Sequence, residues 1–134
     1  MAEMTHTPEH ITALKENEVF VFGSNLSGLH LGGAAKVAMK WGAKWGEATG
    51  LHGQTYAIPT VGEGAKGTMS VADIRPYVDE FINDAKKHAE LIFLVTPIGC
   101  GIAGHQSQDI GPLFNDARDI PNIILPKEFS DHLD

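Results

Sequence analysis

The chain has 134 residues, 43% of them hydrophobic, which suits one domain with a substantial core. Its formal net charge is −7 and its longest basic run is two lysines, so a nucleic-acid groove, which needs clustered Lys and Arg, is not expected. A single cysteine excludes an intramolecular disulfide and fits a cytoplasmic protein. No apolar stretch approaches the ~20 residues that a membrane-spanning helix needs, so no membrane partner is expected. We expect one domain over residues 1–134, with an ordered core at about 9–127 and loosely held ends at 1–8 and 128–134.

The first half of the chain predicts two strands and one helix. The apolar run at 18–22 predicts a buried strand that ends at Gly23. Residues 33–41 predict a helix, because small and apolar side chains recur there at helical spacing. Residues 55–58 predict a second short strand, which Pro59 should stop because proline has no N–H for the sheet.

A longer helix should follow, up to about His88, with one apolar face made of Ile74, Val78, Phe81, Ile82 and Ala85. Ser70 and Asp73 resemble a capping box, which predicts a helix start at this serine. Pro76 lies past the first turn of such a helix and would remove one of its hydrogen bonds. A start near Arg75, with the proline in the first turn, is therefore the alternative.

The last third of the chain repeats the alternation of strand and helix. Residues 91–96 are nearly all apolar, as in a central parallel strand, residues 109–118 predict a helix, and residues 122–125 predict a last strand. Strands that alternate with helices predict an α/β fold, with a mostly parallel sheet covered by helices on both faces.

Two glycine-rich segments, each after an apolar run, are the most informative feature of the chain. The first glycine-rich loop covers residues 23–33 and the second covers residues 99–104. Glycine lets backbone N–H groups converge on an anion, and ligands of open α/β sheets bind at strand ends. Two such loops predict a clamp around a diphosphate made by main-chain donors, which needs no lysine. Neither loop has the spacing of a Walker motif or of a dinucleotide-fold fingerprint.

Several side chains near these loops allow both a functional and a structural interpretation. Asn25 can bind a ribose hydroxyl or merely complete a tight turn. Tyr56 can stack on a base or belong to the core. Cys100 can be a nucleophile if a base such as His105 activates it, or a small packing residue. Asp109 can take part in catalysis or be a cap or first-turn carboxylate of a helix.

Three histidines near the expected cleft, His30, His52 and His105, raise the question of a metal site. Their spacing matches no known zinc pattern, so no metal and no cofactor are expected, and a solvent-facing or ligand-stacking role is the preferred interpretation. Gln54 flanks the second predicted strand and is included among the expected ligand contacts.

The sequence resembles a family of small phage and bacterial proteins that are generally described as phage non-structural proteins of unassigned function. The resemblance covers about residues 17–127 and is carried by VFVFGSN at 19–25, GGAA at 32–35, YAIPT at 56–60 and TPIGCGIAG at 96–104. The same pattern is similar to a reduced macrodomain, the ADP-ribose-binding fold. Asn25 matches the asparagine after an early strand, Gly32-Gly33 match the glycine-rich helix start, and residues 101–104 match the loop that holds the diphosphate, with Ala103 where an aromatic residue is usual.

This resemblance implies a macrodomain-like three-layer α/β/α sandwich that binds ADP-ribose or an ADP-ribose-derived signalling nucleotide. A phage origin would favour a protein that sequesters such a signal from a host defence, in the host cytoplasm. The alternative is a hydrolase of ADP-ribose linkages, with Asn25 and Asp109 as the candidate catalytic residues; a third is a structural or interaction protein with a vestigial pocket. A homo-oligomer stays open. The expected ligand-binding residues are Gly23, Ser24, Asn25, His30, Gly32, Gly33, Gln54, Tyr56, Thr96, Gly99, Cys100, Gly101, Ile102, Ala103 and Gly104.

Overall fold

The computed structural model describes residues 5–28, 30, 33–62, 67–100 and 103–133. Within these residues the chain forms one five-stranded sheet, whose strands are β1 (Glu18–Asn25), β2 (Gly50–His52), β3 (Thr55–Val61), β4 (Ile92–Val95) and β5 (Ile123–Ile124). Their order across the sheet is β2-β3-β1-β4-β5. All neighbours are parallel except β2, which runs antiparallel to β3. The predicted α/β class with a mostly parallel sheet is therefore confirmed, and β2 is the strand that the sequence reasoning missed.

The described residues form four α-helices, which connect or follow the strands. They are α1 (Gly33–Ala38), α2 (Val71–Lys87), α3 (Ser107–Ile110) and α4 (Lys127–Ser130). Two 3₁₀ segments, Met39–Trp41 and Gly111–Ala117, continue α1 and α3. The helix predicted over 109–118 is therefore α-helical only at Asp109 and Ile110 and continues as a 3₁₀ segment to Ala117.

The helices cover both faces of the sheet, and the alternation of side chains in β1 explains why. Val19 and Val21 point into the larger core, which includes the buried face of α2 and Ile110 of α3. Phe20 and Phe22 point into a smaller core with Ala35 and Ala38 of α1. Because successive side chains of a strand face opposite sides, the continuous apolar run of β1 serves two cores at once.

The strand β3 does not stop at Pro59, as the sequence had predicted, but continues to Val61. Pro59 pairs in register with Ser24 of β1 on one side. On the other side β2 reaches only as far as Ala57, so no strand of the described chain requires an N–H from the proline.

The helix α2 begins where the capping box predicts. The Ser70 hydroxyl accepts a hydrogen bond from the Asp73 N–H at 3.1 Å. The alternative start near Arg75 is wrong, and Pro76 lies inside the helix. The buried face of α2 is the predicted one: Ile74, Val78, Phe81, Ile82 and Ala85.

Both ends of the chain pack more closely than expected. Thr7 donates its N–H to the Leu125 carbonyl at 3.0 Å and its hydroxyl to the Ile124 carbonyl at 2.9 Å, beside β5. Phe129 of α4 is fully buried and stacks on Phe114, with ring centroids 5.4 Å apart. The prediction of loosely held ends is therefore wrong at Thr7 and Phe129, because long-range contacts that local polarity does not reveal hold both of them.

Candidate functional site

The order of the strands marks one position on the sheet where a ligand crevice is expected. From β1 the chain moves to β3 on one side, and it later returns to β4 on the other side of β1. The helix after β1 lies on the Phe20 face, whereas the helix after β4 lies on the Val19 face. The two connections therefore separate at the carboxyl ends of β1 and β4, which is where open α/β sheets bind ligands. We call this region the β1/β4 edge.

The start of the first glycine-rich loop belongs to β1. The strand runs on to Asn25 because β3 provides pairing partners up to Val61, so its predicted end at Gly23 is wrong. A Cβ atom placed on Gly23 would lie 3.2 Å from the Thr60 hydroxyl oxygen and 3.6 Å from the Gly99 amide nitrogen. The first and second glycine-rich loops therefore approach each other closely at this glycine.

The described part of the second glycine-rich loop, at the end of β4, contains backbone N–H groups that donate to no other described residue. Gly99 and Gly104 have φ angles of 75° and 83°, which favour glycine. The His105 N–H donates to the Gly99 carbonyl at 2.7 Å and closes the loop. Within the described chain, the N–H groups of Gly99, Ala103 and Gly104 donate no hydrogen bond. Such N–H groups are ready to bind an anion or water.

The segment after β3 anchors this loop from one side. The Thr68 hydroxyl donates to the Ala103 carbonyl at 2.6 Å. The His105 Nε2 lies 2.7 Å from the Met69 carbonyl oxygen and donates to it. His105 therefore fixes the loop through its ring, and the solvent-facing or ligand-stacking role predicted for it is not what the structure displays.

Cys100 lies beside Ser107 rather than beside a base. Its Sγ is 3.8 Å from the Ser107 hydroxyl oxygen, while the His105 ring is engaged with Met69. Burial, the largest effect, raises the pKa of the Cys100 thiol. The structure thus favours the packing role over the nucleophilic one.

We expect Cys100 to react with iodoacetamide at pH 7 several-fold more slowly than the cysteine of an unstructured peptide, because the reacting species is the thiolate. A raised pKa keeps the thiol protonated to higher pH, so the rate should rise only as the pH passes that raised value. Mass spectrometry of alkylation against pH measures this, and the unfolded protein in urea is the matched control. A rate at pH 7 that equals or exceeds the rate of the peptide would contradict the protonated state.

Ser24 and His30 hold the connection between α1 and β2 instead of facing the β1/β4 edge. The Ser24 hydroxyl donates to the Ala48 carbonyl at 2.5 Å. The His30 side chain is only 3% exposed, its Nε2 lies 2.9 Å from the Lys44 carbonyl oxygen, and its ring meets the Phe22 ring edge-on. The solvent-facing interpretation of His30 is therefore wrong, since its buried ring packs against Phe22 of the smaller core.

Two further residues that were expected to contact the ligand do not lie at the β1/β4 edge. Gln54 precedes β3 at the opposite end of the sheet, where its amide donates to the Lys15 carbonyl at 2.8 Å. Tyr56 is buried against α2 and its hydroxyl donates to the Asp84 carboxylate at 2.5 Å. Burial, followed by Asp84, raises the pKa of this phenol. The core interpretation of Tyr56 is thus confirmed.

The remaining expected residues stay near the β1/β4 edge or lie outside the described chain. Thr96 follows β4, and its hydroxyl donates to the Val21 carbonyl at 2.7 Å. Asp109 is an exposed first-turn residue of α3, whose N-cap is Gln106. Gly33 is the first residue of α1. The expected contacts that lie outside the described residues are Gly32, Gly101 and Ile102.

A groove that the sequence reasoning missed adjoins the β1/β4 edge. Its volume is about 610 Å³, and it lies between the end of β3 and the first two turns of α2. The lining residues are Leu26, Gly62, Gly67, Thr68, Met69, Ala72, Asp73, Pro76 and Tyr77. The only signal in the sequence was the proline inside a helical pattern, which marks a local irregularity.

No family model matches this sequence, and no curated protein or solved structure matches it either. Among the described residues, no three or more His, Cys, Asp or Glu side chains are grouped so that they could hold a metal ion. The described helices are all too short or too polar to cross a membrane.

Proposed function

We propose that this protein binds ADP-ribose or an ADP-ribose-derived nucleotide at the β1/β4 edge. The observation that supports this most is that the N–H groups of Gly99, Ala103 and Gly104, placed where the strand order reverses, donate to no other described residue. Backbone donors can hold a diphosphate without a cation, which suits a chain of net charge −7.

The close approach of the two glycine-rich loops supports one ligand site that both loops border. A Cβ on Gly23 would lie 3.6 Å from the Gly99 amide nitrogen, and Asn25 ends β1 two residues further along the chain. In this arrangement the second loop holds the phosphates and Asn25 contacts the terminal ribose. The resemblance to macrodomains points to the same ligand, and a phage origin would favour sequestration of a host signal.

Binding without turnover is the preferred form of this function. Hydrolysis needs a group that positions and activates a water molecule. The described residues of the two glycine-rich loops include no carboxylate, and Asp109 is an exposed residue of α3. We therefore expect the ligand to leave the protein unchanged.

Calorimetry with ADP-ribose tests the proposal. We expect one site per chain and, at about 100 times the dissociation constant, about 2.7 kcal/mol of added stability in a thermal melt. Gly23→Val should weaken binding at least about tenfold, because its branched side chain enters the space beside the Gly99 N–H and prevents a charge-assisted hydrogen bond there. Gly23→Ala is the milder variant, and Gly50→Ala, in a strand separated from β1 by β3, is the control that should bind normally.

Absence of heat and of a melting shift with ADP-ribose would contradict the proposal. So would normal binding by a folded Gly23→Val protein, since the site would then lie elsewhere. Chromatography of the ligand after long incubation and heat denaturation separates the two forms of the function. Intact ADP-ribose is the expected result, and a cleaved product would identify a hydrolase.

A further inference from the structure

Every large apolar side chain that is exposed in the described chain lies between residues 37 and 45. These side chains are 39% to 54% exposed, and exposed lysines lie among them. We call this surface, at the end of α1 and just after it, the Lys–Trp patch; its residues are Lys36, Val37, Met39, Lys40, Lys44 and Trp45. Single exposed apolar side chains are ordinary, whereas a cluster of them marks an interaction surface.

The lysines of the Lys–Trp patch carry positive charge that the described chain leaves unpaired. None of the three has a carboxylate partner among the described residues. Residues 19–62, which include β1, α1, β2 and β3, contain a single acid, Glu47, although the whole chain has a net charge of −7. The Lys40 Nζ lies 4.8 Å from the centroid of the Trp41 ring, and this contact holds one ammonium group beside an aromatic face. The patch therefore combines apolar area with positive charge on an otherwise acidic chain.

Hydrogen bonds fix the backbone on both sides of Trp45. The Lys44 carbonyl oxygen lies 2.9 Å from the His30 Nε2 and accepts a hydrogen bond from it. The Gly46 N–H donates to the Gly28 carbonyl at 2.8 Å. A backbone that is already ordered loses little conformational entropy on binding, which favours an interface at this position.

A second copy of this chain does not suit the Lys–Trp patch. Contact between two such patches would bring their lysines together. The rest of the described surface exposes no large apolar side chain that Trp45 could contact. The patch therefore fits a molecule other than this chain.

Single-stranded nucleic acid suits the patch less well than a protein does. Nucleic acid binds such surfaces by stacking its bases on aromatic rings, and Val37 and Met39 offer no aromatic face. A long polyanion would also extend past the patch to the carboxylates that lie outside residues 19–62. A short acidic segment of a protein stays within the patch and has apolar side chains for its aliphatic part.

We propose that the Lys–Trp patch docks an acidic segment of another protein, in which carboxylates surround a large apolar side chain. The carboxylates contact the three lysines, and the apolar side chain packs on Trp45, a residue type that is common at the centre of interfaces. This inference goes beyond the proposed function and does not depend on it. The Trp41 carbonyl accepts the Gln54 N–H at 2.9 Å, and Gln54 lies at the end of the sheet opposite to the β1/β4 edge. The segment and a nucleotide therefore bind at different places.

The test is fluorescence anisotropy with labelled synthetic peptides that contain several Glu residues around one Phe or Leu, whose position is varied. We expect binding that weakens about fivefold or more when Gln replaces Glu, or Ala replaces the apolar residue. Trp45→Ala should weaken binding about tenfold and Lys40→Glu about fivefold. Lys86→Glu makes the same change of charge at an exposed position of α2, on the other face of the sheet, and should bind normally.

Failure of all the peptides to bind, or equal binding by wild type and both patch variants, would overturn the inference. Tighter binding of oligo-dT or of phosphatidylserine vesicles, lost in Trp45→Ala, would also overturn it and would identify a nucleic acid or a membrane as the occupant. Calorimetry with ADP-ribose should give the same affinity for wild type and the patch variants, so the two proposals fail separately. A thermal melt of each variant verifies folding.

Discussion

Replacing Phe129 with alanine is expected to lower the free energy of unfolding by about 4 kcal/mol, in the range for a buried phenylalanine. Its side chain is fully buried, stacks on Phe114 and belongs to the larger core. In addition, α4 packs closely on the preceding 3₁₀ segment, where a Cβ on Gly111 would lie 3.1 Å from the Phe129 carbonyl oxygen. A cavity at this position would therefore loosen two elements. At about 3 °C per kcal/mol, the melting temperature should fall by about 12 °C.

Urea unfolding monitored by circular dichroism measures this loss. Trp45→Ala is the matched control, since that aromatic side chain is 54% exposed and its removal should change stability by less than about 0.5 kcal/mol. A loss below about 1 kcal/mol in Phe129→Ala would contradict the packing of α4 and restore the view of a loosely held end.

Replacing Gly28 with alanine should cost about 3 kcal/mol of folding free energy. This buried glycine has a φ of 70°, and a Cβ on it would lie 2.4 Å from the Gly46 carbonyl carbon. The Gly28 carbonyl also accepts the Gly46 N–H at 2.8 Å, so the two backbones cannot separate without losing a hydrogen bond. A left-handed conformation costs ~1–2 kcal/mol for alanine, and a forced shift of packed backbone costs ~1–3 kcal/mol.

Gly46→Ala separates the two contributions. Its φ of 89° is also left-handed, but a Cβ there would meet nothing within 4 Å. We expect this variant to lose about 1 kcal/mol, which is the conformational cost alone. Equal losses in the two variants, measured by urea unfolding, would show that the close approach of Gly28 and Gly46 does not form in solution.

The glycines of the first glycine-rich loop are not equivalent. Gly28 is required by packing, whereas Gly23 faces the second glycine-rich loop. Ser24 and His30 likewise bind the connection before β2 through Ala48 and Lys44. The motif therefore combines residues that build the loop with residues that border the candidate site, and composition alone does not distinguish them.

The sequence by itself determined the α/β class, the buried face of α2 and the start of that helix. These features follow from local periodicity and from capping, which depend on residues only a few positions apart. It also predicted that two glycine-rich loops follow strands β1 and β4. Because the carboxyl ends of adjacent parallel strands lie at one edge of the sheet, this prediction also places both loops at the same candidate site.

The tertiary structure alone decided where the strands end and which side chains meet. β1 reaches Asn25 because β3 pairs with it up to Val61. β3 passes Pro59 because β2 reaches only as far as Ala57 and so needs no N–H from the proline. No local pattern encodes either pairing. Gln54 lies at the opposite end of the sheet, where its amide donates to backbone carbonyls distant in sequence, including that of Lys15. Register and strand order are set by contacts between distant segments, so they also decide which glycine-rich loop faces the other and where the groove of Asp73 opens.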